Sequence, residues 1–159
     1  MHQNEQLIHQ FYSAFNKADH QTMQASYHPE ATFYDAVFED LSSREVKAMW
    51  QMLVTSAKDL KITFSEVVAD DQTGSCIWRA GYTFTATGRK VHNIIYASFD
   101  FKDGKILKHR DTFDLWRWSR MAFGAGGWLM GWSPVLKNKI RKAAQGRLAK
   151  FMNSAHQGK

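Results

Sequence analysis

Val91-His-Asn-Ile-Ile-Tyr-Ala-Ser-Phe-Asp-Phe-Lys-Asp-Gly-Lys-Ile-Leu-Lys-His-Arg-Asp-Thr-Phe113 is the stretch on which the fold turns. Two runs of strand-forming residues flank Asp103-Gly104, a pair that tolerates the positive φ angles of a tight hairpin turn. Working outward, Lys61–Ala69 and Ser75–Ala86 carry the same two-residue period, joined by Asp71-Gln-Thr-Gly74 and, before Val91, by Thr87-Gly88. Four strands in a row, 61–69, 75–86, 91–101 and 105–115, predict an antiparallel meander.

Upstream the period is near 3.6. Leu7, Ile8, Phe11, Tyr12 and Phe15 predict one helix, and Asp19 caps a short second one carrying Met23 and Tyr27, which His28-Pro29 stops. Ala31–Phe38 is rich in strand formers. Ser42-Ser-Arg-Glu45 has the form of a capping box, and Val46, Met49, Trp50, Leu53 and Ala57 make one apolar stripe behind it. Helices followed by a meander predict an α+β fold: a curved antiparallel sheet forming a cone closed by the N-terminal helices.

Length and composition agree. With 159 residues, 44% hydrophobic and 23% charged, the chain can pack one ordinary core and is not disordered. A single cysteine, Cys76, excludes an internal disulfide and a cysteine zinc site. The start lacks a basic segment before an apolar one, and the longest uncharged run, Met121–Leu136, is interrupted by glycines and a proline, so a soluble cytoplasmic protein is expected. The net charge of +6 is uneven: from Leu115 onward there are nine basic residues and no acid, which leaves the first 114 residues at −3. A short helix at 116–123, a break at Gly124–Gly127 and a last helix begun by Ser133-Pro134 make 116–159 a C-terminal extension to a 1–115 cone domain. Leu136, Ile140, Ala144, Leu148 and Phe151 mark that helix's apolar face. Trp128-Leu-Met-Gly-Trp132 with the basic helix is compatible with a membrane surface, or with a lid or dimer arm. The basic residues sit on one helix without interleaved aromatics, so nucleic acid is not expected as a partner.

Two carboxylates stand out. In the last strand Leu107, His109, Asp111 and Phe113 share a face, and in the first Ala31, Phe33, Asp35 and Val37 do. Asp35 and Asp111 therefore point at an aromatic interior, where desolvation raises a carboxyl pKa toward a value useful for acid–base catalysis, with His109 as proton carrier. Phe11, Tyr12, Phe15, Phe33, Trp50, Trp78 and Phe113 would line an apolar pocket. His109-x-Asp111 offers two metal ligands but no third is spaced to join them, so no metal is expected, and no phosphate-cradling glycine loop calls for an organic cofactor.

The order of elements, with Tyr27-His-Pro-Glu-Ala-Thr-Phe-Tyr-Asp35 and Asp103-Gly-Lys-Ile-Leu-Lys-His-Arg-Asp111-Thr-Phe-Asp-Leu115, resembles the nuclear transport factor 2-like superfamily over about residues 4–115. That superfamily includes ketosteroid isomerases, SnoaL-like polyketide cyclases and limonene epoxide hydrolases. The resemblance places Asp35 at the proton-shuttling aspartate of the isomerases, their oxyanion tyrosine at about Phe11 beside Tyr12, and their second donor near Asn93 or Ile94. It places Asp111 at the water-binding aspartate of the epoxide hydrolases, whose tyrosine and asparagine fall at Phe33 and Asp35 and whose arginine and second aspartate fall at Trp78 and Ala80. SnoaL-like cyclases use a histidine and an aspartate, here His109 and Asp111. The resemblance implies a homodimer and a small, largely apolar, polyketide- or steroid-like ligand. The alternative is a non-catalytic binding or scaffold module whose cavity is filled by its own side chains.

Overall fold

In the computed structural model, which describes residues 1–130 and 133–158, two short helices lead into a six-stranded sheet. Helix α1 (Gln3–Asn16) starts with a capping box in which the His2 side chain accepts from the Asn4 amide and Glu5 reaches back to the His2 amide. Helix α2 (His20–Ala25) is capped by Asp19. Strand β1 (Tyr27–Tyr34) follows at once, so Tyr27 belongs to the strand and not to the second helix, in keeping with the extended backbone favoured just before a proline. A two-residue strand β2 (Leu41–Ser42) leads into α3 (Ser43–Ser56), whose Ser42–Glu45 capping box forms as expected. Then come β3 (Lys61–Ala69), β4 (Thr73–Phe84), β5 (Arg89–Lys102) and β6 (Lys105–Thr112). The chain ends in α4 (Leu115–Phe123), α5 (Ala125–Met130) and α6 (Pro134–Gln157).

The strand order is β2-β1-β6-β5-β4-β3. β3 to β6 form the antiparallel meander, but β1 pairs with β6 in parallel, so the sheet is mixed and not antiparallel throughout; it is also open, with β2 and β3 at its edges. A hairpin forces its two strands to run antiparallel. β1 and β6 are joined through every other strand and α3, so no turn constrains their relative direction.

One face of the sheet is covered by α1 and α3, and the core between them is aromatic: Phe11, Tyr12, Phe15, Tyr27, Phe33, Trp50, Trp78 and Phe99 are all buried. A register shift near the β5–β6 turn pairs Phe101 with Ile106 and Asp100 with Lys108. The bulge turns Ile106, fully buried, inward in place of Leu107, and from Lys108 on the alternation runs as the sequence pattern requires.

Gly124 has φ +67° and ends α4, but the chain turns straight into α5, so the glycine run breaks the helix at one residue only. A methyl group at Gly127 would meet the Ser119 carbonyl oxygen at 1.9 Å, so that glycine is what lets α5 lie against α4. Helix α6 reaches Gln157, caps itself with Ser133 as expected, and lies antiparallel along α3: Arg147 donates to Ser56 near the end of α3 and His156 meets Arg44 near its start. Packing of α6 on α3 explains why Met52 is buried on the side of α3 away from the predicted stripe, where it shares a groove with Arg147, Lys150 and Phe151. The Trp128–Trp132 side chains lie outside the described residues. Among those described, no helix is long and apolar enough to cross a membrane.

Candidate active site

The ladder explains how the ionisable groups meet. β1 and β6 are in register at Phe33 opposite His109 and Tyr34 opposite Arg110, so Asp35, one step past the last paired residue, comes level with Asp111. Adjacent strands are about 5 Å apart, so this rung places two carboxylates next to one another on the inner face. Across β5 and β4 the same rung continues through Ala97 and Cys76, two small side chains, whereas the neighbouring rung holds Phe33, His109 and Phe99.

His109 is fully buried and ringed by aromatics. Phe99 lies 4.5 Å away between centroids, Phe33 and Phe11 meet it edge-on, and Trp50 and Tyr27 stack beside it. Its Nδ1 is 2.7 Å from the Tyr27 hydroxyl and its Nε2 is 3.0 Å from Asp111 Oδ1. The Tyr27 oxygen also accepts from Trp50 Nε1 at 2.8 Å, and Asp111 Oδ1 accepts a longer bond from Trp78 Nε1 at 3.4 Å. An indole N–H can only donate. The Tyr27 hydroxyl is held protonated, burial raising its pKa well above 10, so it donates to His109 Nδ1, which leaves the proton of a neutral imidazole on Nε2 to donate to Asp111. Protons are thus ordered in one direction along Trp50, Tyr27, His109 and Asp111.

Asp35 sits differently. Its Oδ1 accepts from the amides of Val37 at 2.7 Å and Phe38 at 2.6 Å, and its own amide donates to the Phe38 carbonyl, so it caps the turn that follows β1. Burial nevertheless lifts its carboxyl from 3.8 to about 7; the Asp111 charge adds to this, against the two amide bonds that pull it down. Asp111 is 4% exposed and its hydrogen-bond partner is His109. Arg79 and Arg110 lie elsewhere: Arg79 bonds Ser65, and Arg110 alternates to the opposite face.

Tyr12 is also fully buried, and its hydroxyl has no hydrogen-bond partner. Burial and the Asp111 charge hold it well above 10, and the Cys76 thiol beside it is pushed up to about 12 by burial. A protonated hydroxyl whose polar neighbour is the Cys76 thiol thus lies at the small-residue end of the carboxylate rung. Phe11, Phe15, Phe33, Trp50 and Trp78 are buried around these groups, packed into the core, whereas Phe113 is half-buried past the end of β6. Tyr27 is the residue that sequence reading missed; assigning it to a helix turned its hydroxyl away from the interior. A surface groove of about 320 Å³ lies elsewhere, between α3 and α6, against Met52, Phe151, Arg147 and Lys150. No group of three metal-ligating side chains converges among the described residues.

Comparison with known proteins places this arrangement. An NTF2-like protein of unknown function from Burkholderia pseudomallei superposes with a TM-score of 0.68 at 18% identity, covering 77% of this chain and 99% of that one. IdmH, a candidate polyketide cyclase from Streptomyces antibioticus, gives 0.61 at 21% identity over 71% and 93%, and an LEH-like epoxide hydrolase from M. tuberculosis gives 0.61 at 16% over 84% and 95%. At such identities these likenesses define the class, an NTF2-like α+β fold. The SnoaL-like domain model matches residues 8–109, and the chain belongs to that family. No curated protein matches it in sequence. The match stops two residues short of Asp111, and the C-terminal helices lie beyond it.

Two outcomes follow. Tyr27→Phe strips Trp50 Nε1 of its acceptor and His109 Nδ1 of its donor, so it should lower stability by about 1–3 kcal/mol, read from the urea midpoint, although only one oxygen is removed. Asp35 binds its proton more tightly folded than unfolded, so its contribution to stability is full below about pH 4 and is lost as pH rises to about 7. Asp35→Asn, which keeps the turn-capping oxygen, should flatten that loss; equal slopes in wild type and variant between pH 4 and 7.5 would contradict the assignment.

Proposed function

We propose that the inner face of this domain binds a small, largely apolar, carbonyl-bearing molecule and moves a proton next to its carbonyl without a cofactor, as an isomerase or cyclase does. The observation that carries this is the Asp35–Asp111 rung: one carboxyl poised near neutrality, and a second held by a fully buried histidine. In this reaction the Asp35 carboxylate takes the proton of the carbon α to the carbonyl. Electrons of that C–H bond move to the oxygen, and the Tyr12 hydroxyl, left without a partner, donates a hydrogen bond to the enolate. The Asp35 carboxyl then returns a proton to the same carbon or to a conjugated one. Asp111 and His109 set the charge around Asp35, and the aromatic walls of Phe11, Phe15, Trp50 and Trp78 hold the apolar body of the ligand.

The test uses an enolisable ketone such as 2-tetralone in D₂O. Proton NMR should show protein-dependent deuterium uptake at the α carbon that rises with pH through about 7 as Asp35 ionises. Asp35→Asn should cut the rate at least about 100-fold, the lower end of a general base's contribution. Asp111→Asn, by removing the neighbouring charge, should shift the profile to lower pH. Exchange equal to the buffer rate, or unaffected by Asp35→Asn, removes the reading. One observation favours a second reading, a non-catalytic module: the interior is packed by the protein's own rings, with His109 fully buried. That module would bind no ketone and exchange none.

For either reading a homodimer is our proposal for the assembly. The outer face of the sheet presents Tyr96, 57% exposed, between Ile77 across the ladder and Ile94, with Val68 exposed nearby. Such a row on an otherwise polar face is suited to a second copy. Light scattering should give twice the chain mass for wild type and the single mass for Tyr96→Lys; a monomeric wild type ends the proposal.

A further inference from the structure

The carboxylate rung is the last inward-facing step of β1 and β6. Past it lie the turn 35–38 and, across that turn, helix α6. Arg141 of α6 donates from Nε to the Ala36 carbonyl at 2.9 Å and pairs through its terminal nitrogen with Glu39 at 3.2 Å. It therefore grips the loop on both sides of the turn that Asp35 caps. The two halves of α6 are held unequally. Toward the C-terminus, Leu148 is buried in the core, Arg147 bonds Ser56 and His156 meets Arg44. Toward the N-terminus, Val135 is 59% exposed, Asn138, Lys139 and Lys142 are exposed, and Arg141 supplies the contacts to the 35–40 loop.

Between the halves stands Gly146. Nothing lies within 4 Å of where its Cβ would be, so no close approach requires a glycine there. A glycine inside a helix weakens it, and such positions are where helices bend. A half-exposed ion pair with one hydrogen bond is a weak fastening, readily opened.

We infer that the N-terminal half of α6 is a strap over the carboxylate rung, fastened by Arg141 to Ala36 and Glu39 and pivoting at Gly146, and that ligand reaches Asp35 and Asp111 when it opens. This rests on the ligand-binding reading above and adds how access to that site is controlled. It accounts for the placement of the carboxylate pair: the closed protein excludes water, and opening releases the two Arg141 contacts and the half-buried Leu136 and Ile140 while buried Leu148 stays in place.

Hydrogen exchange on the whole protein tests the strap without any ligand. The Val37 and Phe38 amides, bonded to Asp35, should exchange about fivefold faster in Arg141→Ala, while Trp78 and Ile95 in the central ladder keep their wild-type rates. Gly146→Ala should slow the same two amides about fivefold. Stopped-flow uptake of Nile red, a neutral apolar dye, should speed and slow in step with them. Unchanged Val37 and Phe38 rates, or a rise shared by Trp78 and Ile95, overturn the strap. Dye uptake that ignores both variants while the amides respond overturns its role in access. If no form takes up dye and the amides still respond, the ligand reading of the previous section is what fails, and the fastening stands.

Discussion

The Tyr27 hydroxyl is the joint of the interior. It is hydrogen-bonded both to α3, through Trp50, and to β6, through His109, and it makes both bonds with one oxygen. Trp50 can give and not take, so the Tyr27 hydroxyl is free to donate to Nδ1, and in that tautomer His109 offers Nε2–H to Asp111. In water such a chain would contribute little, because each bond replaces one to solvent. Among eight buried aromatic residues each polar atom has no alternative partner, and the cost of leaving one unmade is what fixes the histidine's tautomer and ring plane. The rings of Trp50 and Tyr27 lie nearly parallel to that of His109 and reinforce the same orientation.

That ordering sets the character of the two carboxylates. Asp111 takes the imidazole and the indole nitrogens on one oxygen. Asp35, brought level with it by the parallel β1–β6 pairing, is lifted chiefly by burial and further by the Asp111 charge, so it takes up a proton more readily. The pair is separated in role by environment alone, since both are aspartates on the same rung. Had β1 joined the sheet beside β3, as an added edge strand could, Asp35 would have lain at the far edge and the pair would not exist.

Much of this was legible in the residues. The Asp103-Gly104 turn, the alternation in 61–113 and the Ser42–Glu45 box carry local physics strong enough to survive tertiary context, and each element is found where that physics puts it. Asp35, His109 and Asp111 were visible as ionisable groups on otherwise apolar faces. What was not legible depends on partners distant in the chain. The parallel direction of β1 follows from no turn. The bulge that swaps Leu107 for Ile106 arises from pairing with Phe101. Tyr27 reads as helical because Met23 precedes it at helical spacing, and only the Pro29 restraint argues otherwise. Met52 looks like a surface position until α6 packs beside it.

The extension closes the account of the interior. In the proposed reading the core is also the site, and two demands have to be reconciled: rings packed tightly enough to orient His109, and room for a guest beside Asp35. Here the demands fall on different rungs. Bulky Phe33 and Phe99 flank the histidine, whereas Ala97 and Cys76 flank Asp111, and the unpartnered Tyr12 hydroxyl faces that thinner side. The tight rung lies one step further from the fastening than the thin one. Displacing the α6 strap would therefore expose the end of the interior that has least to lose from opening, while the hydrogen-bonded chain from Trp50 to Asp111 stays intact behind it.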